Sequence, residues 1–262
     1  MPGLVHRVPG MERIAVRHGV AYAPPDDAGG RPRTLAVALP PGDAPTRGHP
    51  VLLLVHGAVP PTVPVPPTRW PPFVDWMRVA AAHGMAGVAL DHRLVDEGDH
   101  DEAADDLAAA LRFLRERGAE IGVDGSRVCL LVFSAGGPLA SGAIAGDEPA
   151  VRCVALYYAR LDGDALPAAR SPRRALARRA TGAPPLLVAR AGRDDVPGLN
   201  AGLDRFVGDA VARDVPLALL RHPTGVHGFD ARTDDAWSRA IVAATLAFAR
   251  ESLRADAPRG TR

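Results

Sequence analysis

Val128-Cys129-Leu130-Leu131-Val132-Phe133-Ser134-Ala135-Gly136-Gly137 passes from an unbroken apolar run to a serine and then to small residues. An apolar run of this length reads as a strand buried on both faces of a sheet. Its abrupt end at Ser134 is the sequence form of a sharp strand-to-helix turn, which lifts a serine hydroxyl clear of the sheet. Small neighbours let the two backbones approach closely. The usual form is Gly-x-Ser-x-Gly, and Val132 stands where the first glycine would be. Two readings of Ser134 therefore stand: a nucleophile on an elbow, or a serine that caps the following helix.

Outward from this turn the chain alternates between strand and helix signals. Arg13 to Tyr22 and Thr34 to Leu39 read as early strands around a Pro/Gly/Asp-rich turn, and Val51 to Val55 as a central strand. A helix is expected from about Phe73 to His83, and a strand over Ala86 to Leu90. Ala104, Leu107, Ala108, Leu111 and Leu114 recur at helical spacing between Asp101 and Arg117. Strands at 128–133, 185–190 and 216–221 are then followed by helices at 136–145, 200–213 and 235–253, and the strand at 151–158 by an arginine-rich excursion. Such repetition predicts one α/β domain over residues 1–262, with a mostly parallel central sheet of about eight strands and helices on both faces.

The 31 basic and 30 acidic residues nearly cancel, and every basic residue is arginine. No basic stripe or basic-aromatic interleaving marks a nucleic-acid surface, so no nucleic-acid partner is expected. No run is long enough to span a bilayer, and Met1 to Gly10 lacks the apolar region of a signal peptide. A cytoplasmic protein without a membrane partner is expected. Cys129 and Cys153 both fall in apolar strands and read as reduced core thiols; no metal-ligand spacing is present.

In open parallel sheets, reactive groups gather at the carboxyl ends of the strands. His56-Gly57-Ala58 follow the strand at 51–55, and Ser134 follows the strand ending at Phe133. Gly192-Arg193-Asp194-Asp195 follow the strand at 185–190, and His222 and then Gly225-Val226-His227-Gly228-Phe229 follow the last strand. Serine, acid and histidine thus succeed three different strands in that order.

With His56-Gly57, Asp91-His92-Arg93-Leu94, Ser134-Ala135-Gly136-Gly137, Gly192-Arg193-Asp194 and His227-Gly228-Phe229 in register, the chain resembles the α/β-hydrolase esterases, near the hormone-sensitive-lipase-like and dienelactone-hydrolase-like branches. The likeness runs over residues 12–254. It implies hydrolysis of a small or medium-sized carboxylic ester through an acyl-enzyme, with no cofactor and no metal. Ser134 would attack, and His227, whose ordinary pKa lies near neutrality, would accept and return the proton. The Gly-x-Asp spacing of the lipase-like branch favours Asp194 as the acid, whereas Gly-x-x-Asp would select Asp195. The oxyanion hole would use the N–H of Ala135 and one from Gly57 or Ala58. The lipase-like branch carries His-Gly-Gly-Gly, and Val59-Pro60-Pro61 here demand a different loop conformation. His56, Asp91 and Arg93 are expected to tie loops together beside the site.

Two segments are expected to wall the pocket: the proline-rich loop at about 58–72 with Trp70, and a short lid at about 159–183. Trp70, Tyr158 and Phe229 are the candidate substrate contacts. Arg170, Arg173, Arg174, Arg178 and Arg179 read either as a solvated helix face or as a site for an anionic substrate. Amidase or peptidase chemistry on the same triad, and a non-catalytic ligand-binding protein on the same fold, are the alternatives to an esterase.

Overall fold

Leu52 and Leu54 turn to one face of the sheet, while Val51, Leu53 and Val55 turn to the other, and all five are fully buried. This period-two alternation with apolar residues on both sides is what a central strand between two helical layers requires. Burial of each such side chain contributes about 1.5–3 kcal/mol. The structure is a computed structural model and describes residues 2–24, 33–96, 98–163 and 166–254.

The strands are β1 (Val16–Ala21), β2 (Thr34–Ala38), β3 (His49–Val55), β4 (Ala86–Leu90), β5 (Val123–Phe133), β6 (Val151–Tyr157), β7 (Leu186–Ala191) and β8 (Leu217–His222). They form one sheet in the order β1-β2-β4-β3-β5-β6-β7-β8. The β1–β2 and β2–β4 pairs are antiparallel, and every pair from β4 to β8 is parallel. Among the helices, α1 (Pro71–Ala82) and α7 (Ala236–Ser252) cover the Leu52/Leu54 face. The opposite face is covered by α2 (His100–Arg117), α3 (Ser141–Ala145), α4 (Pro172–Leu176) and α5 (Leu199–Ala212). A short α6 (Phe229–Arg232) follows β8.

The chain steps from β3 to β4 on one side and then returns to place β5 on the other side of β3. This reversal opens a crevice at the carboxyl ends of β3 and β5, where open α/β sheets bind ligands. Val55 stands opposite Val132 in the β3–β5 register, which brings the loops after both strands side by side.

Three local departures from the sequence expectation have physical reasons. β5 begins at Val123 rather than 128, because the register slips between Pro50, opposite Asp124, and Val51, opposite Val128, and admits Gly125-Ser126-Arg127. Asp124 accepts from the Ser126 N–H at 3.0 Å and the Ser126 hydroxyl at 2.6 Å, so this polar stretch is locally satisfied although it carries no apolar signal. The helix expected over 136–145 is a 3₁₀ turn at Ser134–Ala140 followed by α3. Pro138, inside that turn, has no N–H to give to an α-helical ladder. The first strand is shorter than Arg13 to Tyr22, since Met11–Arg13 form a 3₁₀ turn. The turn expected between the two early strands falls mainly on 25–32, outside the described residues. No helix among the described residues is long and apolar enough to cross a membrane.

Candidate active site

Ser134 holds φ +54°, a left-handed conformation that a residue with a side chain adopts only when its surroundings enforce it. The enforcement is steric. A Cβ on Gly136 would lie 2.4 Å from the His56 carbonyl oxygen, and one on Gly137 would lie 2.1 Å from that of Arg160. Only glycines permit both approaches, and the Arg160 N–H donates back to the Ser134 carbonyl at 2.8 Å. Val132 fits where a glycine is usual because its side chain turns into the core, 3.5 Å from where a Gly136 Cβ would be.

The Ser134 hydroxyl makes no cap to the following turn. Its Oγ lies 2.9 Å from Nε2 of His227, and Nδ1 of His227 lies 2.9 Å from Oδ2 of Asp194. A carboxylate only accepts, so Nδ1 carries the ring proton and Nε2 is left to accept from the serine. The Asp194 side chain is fully buried, and its Oδ1 accepts from the Val196 N–H at 3.0 Å, a local turn that aims the carboxylate. Asp195 is exposed and stands apart from this array. The acid and histidine loops are sewn together, with Gly192 N–H donating to the His222 carbonyl at 2.8 Å and Arg193 N–H to that of Gly225 at 2.8 Å.

The loop after β3 passes directly beside the elbow. A Cβ on Gly57 would sit 3.1 Å from the Ser134 Cβ and 3.3 Å from the Ala135 nitrogen. Val59 N–H is consumed by the Leu94 carbonyl at 3.0 Å, which leaves Gly57 and Ala58 as the loop's free donors among the described residues. His56 and His92 fix this loop as a stacked pair, with ring centroids 3.6 Å apart. His92 Nε2–H donates to the His56 carbonyl at 3.2 Å and its Nδ1 accepts from the Leu94 N–H at 3.3 Å, which sets a neutral tautomer. Burial first, and the His56 ring second, hold the His92 pKa well below its usual value. Asp91 accepts from the Thr68 hydroxyl at 2.8 Å and so holds the proline-rich loop, while Arg93 pairs with Asp106 at 2.9 Å and ties the loop after β4 to α2.

A cavity of about 490 Å³ opens at Ser134, lined by Trp70, Phe73, Trp76, Phe133, Tyr158 and His227, with Gly57, Ala58 and Val59 on the loop side. Of the expected contacts, Trp70 and Tyr158 line it and Phe229 does not. Phe229 is fully buried, stacked on Tyr157 with centroids 5.7 Å apart, because Gly228 (φ +75°) turns the chain inward. None of the described residues of 159–183 lines the cavity. That segment packs on α3 and α5, pinned by Arg179 on the carbonyls of Ile144 and Pro184, both at 2.8 Å.

Five wall residues escape the sequence reading: Pro2, Trp76, Asp230, Ala231 and Arg232. Asp230 is buried and accepts from Trp76 Nε1 at 2.8 Å and Tyr158 Oη at 2.7 Å. Burial pushes its pKa up, against those hydrogen bonds. Its position three residues after His227, and Trp76's three residues after Phe73, were the available signals. Among the described residues no cluster of three or more His, Cys, Asp or Glu is arranged to hold a metal ion.

The BD-FAE family model matches residues 46–150. Among solved structures, a bacterial heroin esterase shares 22% identity with a TM-score of 0.70, covering 94% of this chain and 86% of that one. Esterase Est2 of the planctomycete Thermogutta terrifontis shares 18% identity with a TM-score of 0.71, covering 95% and 97%. A thermostable esterase of Pseudomonas putida ECU1011 shares 22% identity with a TM-score of 0.63, covering 94% and 83%. No curated protein matches the sequence. The chain has the α/β-hydrolase fold.

Proposed function

We propose that the protein is a serine hydrolase of carboxylic esters, with Ser134 as nucleophile, His227 as general base and acid, and Asp194 as the orienting carboxylate. The observation that carries this reading is the continuous chain from Ser134 Oγ through the His227 ring to Asp194, with 2.9 Å at each step. Ser134 Oγ attacks the acyl carbon while His227 Nε2 takes its proton, and the carbonyl oxygen becomes an oxyanion. Ala135 N–H and a donor from Gly57 or Ala58 hold that charge; loss of one such donor costs about 2.7–4 kcal/mol of barrier. The C–O bond to the alcohol then breaks, and Nε2–H gives its proton to the departing oxygen. Water attacks the acyl-serine by the same route, releasing the acid and restoring the hydroxyl.

The substrate class follows from the walls. An aromatic cavity of about 490 Å³ suits a small or medium-sized ester with an apolar arm. The structural relatives are esterases, which favours esters over amides. Cys129 and Cys153 are buried thiols that face each other across β5 and β6. Reaction with a fluorophosphonate probe, followed by peptide mapping, tests the nucleophile. Labelling at Ser134 and loss of aryl-ester turnover in Ser134→Ala are expected; turnover that survives Ser134→Ala would overturn the assignment.

A further inference from the structure

The arginines that the sequence offered for anion recognition are engaged elsewhere. Arg170 pairs with Asp101 at 2.6 Å, Arg173 with Asp209 at 2.7 Å and Arg178 with Asp147 at 3.9 Å, while Arg179 holds backbone carbonyls. None of them, nor Arg174, lines the Ser134 cavity; Arg232 does. Its stem folds back along the histidine loop, so that a Cβ on Gly228 would lie 3.3 Å from Arg232 Cδ. Its Nη1 donates to the His227 carbonyl at 3.0 Å. That anchor uses one of five guanidinium N–H groups, and no carboxylate pairs with the rest among the described residues. The other charged side chain of the wall, Asp230, has its two oxygens committed to Trp76 and Tyr158.

A pinned, unpaired guanidinium at the exposed edge of an aromatic cavity is a ready partner for a carboxylate. We propose that Arg232 selects the substrate: an ester with an apolar arm in the aromatic cavity and a free carboxylate, on the acyl or the alcohol side, held at the mouth. The proposal rests on the esterase reading of the same site. Its geometry asks for no movement of the triad, since the anchor is the backbone of His227 itself.

Two matched pairs of esters test it. 4-Nitrophenyl hydrogen succinate against 4-nitrophenyl butyrate probes an anionic acyl arm, and 4-carboxyphenyl acetate against 4-tolyl acetate probes an anionic alcohol arm. In at least one pair the anionic ester should have the higher kcat/KM. That preference should fall at least tenfold in Arg232→Gln, chiefly through KM, and be partly retained in Arg232→Lys. Calorimetric binding of 4-acetamidobenzoate against neutral 4-acetamidotoluene, to wild type and Arg232→Gln, reads the same selection without turnover. Neutral esters turned over with no Arg232-dependent preference in either pair would overturn this inference and leave the esterase reading intact. Absence of any turnover would overturn the esterase reading, and tighter, Arg232-dependent binding of the carboxylate would still sustain the selecting role.

Discussion

Tyr158 Oη donates to Asp230 Oδ1 at 2.7 Å while the Tyr158 ring lies 4.7 Å from that of His227, so a buried carboxylate fixes the wall on which the His227 imidazole rests. Trp76 Nε1 is held by the other oxygen of the same carboxylate. Asp230→Ala strands two buried donors, each costing about 1–3 kcal/mol when unsatisfied. A loss of stability on the order of 3 kcal/mol is expected in urea unfolding, with kcat reduced more than KM is raised. Asp230→Asn keeps one acceptor and should fall between wild type and the alanine variant in both measurements.

His92 makes the stability of the protein depend on mild acid. Its folded pKa lies well below the usual 6.5, chiefly through burial. As pH falls through about 6.5 the unfolded chain takes up a proton that the folded protein refuses, so acidification favours unfolding. The His92 contribution is complete above this value and declines below it, by up to about 1.4 kcal/mol per pH unit. His6, His18 and His49 are shifted in the same direction and add to the slope. Unfolding midpoints between pH 7.5 and 5 should therefore fall more steeply in wild type than in His92→Gln.

Much of the fold was legible because a parallel strand buried on two faces leaves an apolar run, as Val51 to Val55 and Val128 to Phe133 do. The convergence of Ser134, Asp194 and His227 was legible because all three follow the carboxyl ends of parallel strands. The walls were not. Trp76 and Asp230 meet across 154 residues of sequence, and no local pattern records which face of α1 or α6 reaches the cavity. Phe229 was misplaced for a related reason, since one left-handed glycine at 228 decides whether the next side chain points to substrate or to Tyr157. The segment at 159–183 broke the strand–helix alternation in the manner of a lid, yet its apolar Leu161, Ala175 and Leu176 serve the core.

Adjacent aspartates in the acid loop have opposite environments, and their variants should separate cleanly. Asp194 is buried on His227 Nδ1, whereas Asp195 is exposed. An asparagine at 194 offers its own N–H groups to the ring and favours the tautomer that leaves Nε2 protonated and unable to accept. A fall in kcat of about 10³–10⁴-fold is expected for Asp194→Asn, by analogy with serine proteases. Asp195→Asn should stay within about twofold of wild type, as surface substitutions usually perturb stability by no more than about 0.5 kcal/mol. Steady-state kinetics on one aryl ester, with circular dichroism to verify folding, distinguishes the two acids.

Gly137→Ala should damage the elbow without removing any reactive group. The added methyl would stand 2.1 Å from the Arg160 carbonyl oxygen and 2.8 Å from its carbonyl carbon, and backbone atoms cannot swing aside as a flexible side chain would. Relief requires the strand-to-helix turn to move away from the segment after β6, which breaks the Arg160 N–H bond to the Ser134 carbonyl. Overpacking of this kind costs about 1–3 kcal/mol. The expected outcome is a lowered unfolding midpoint together with a kcat loss of at least tenfold, because the displaced serine no longer meets His227 Nε2. Gly142→Ala serves as the comparison. Its added methyl would find only the Asp147 carboxylate at 3.9 Å, so unfolding midpoint and kcat should both stay near wild type.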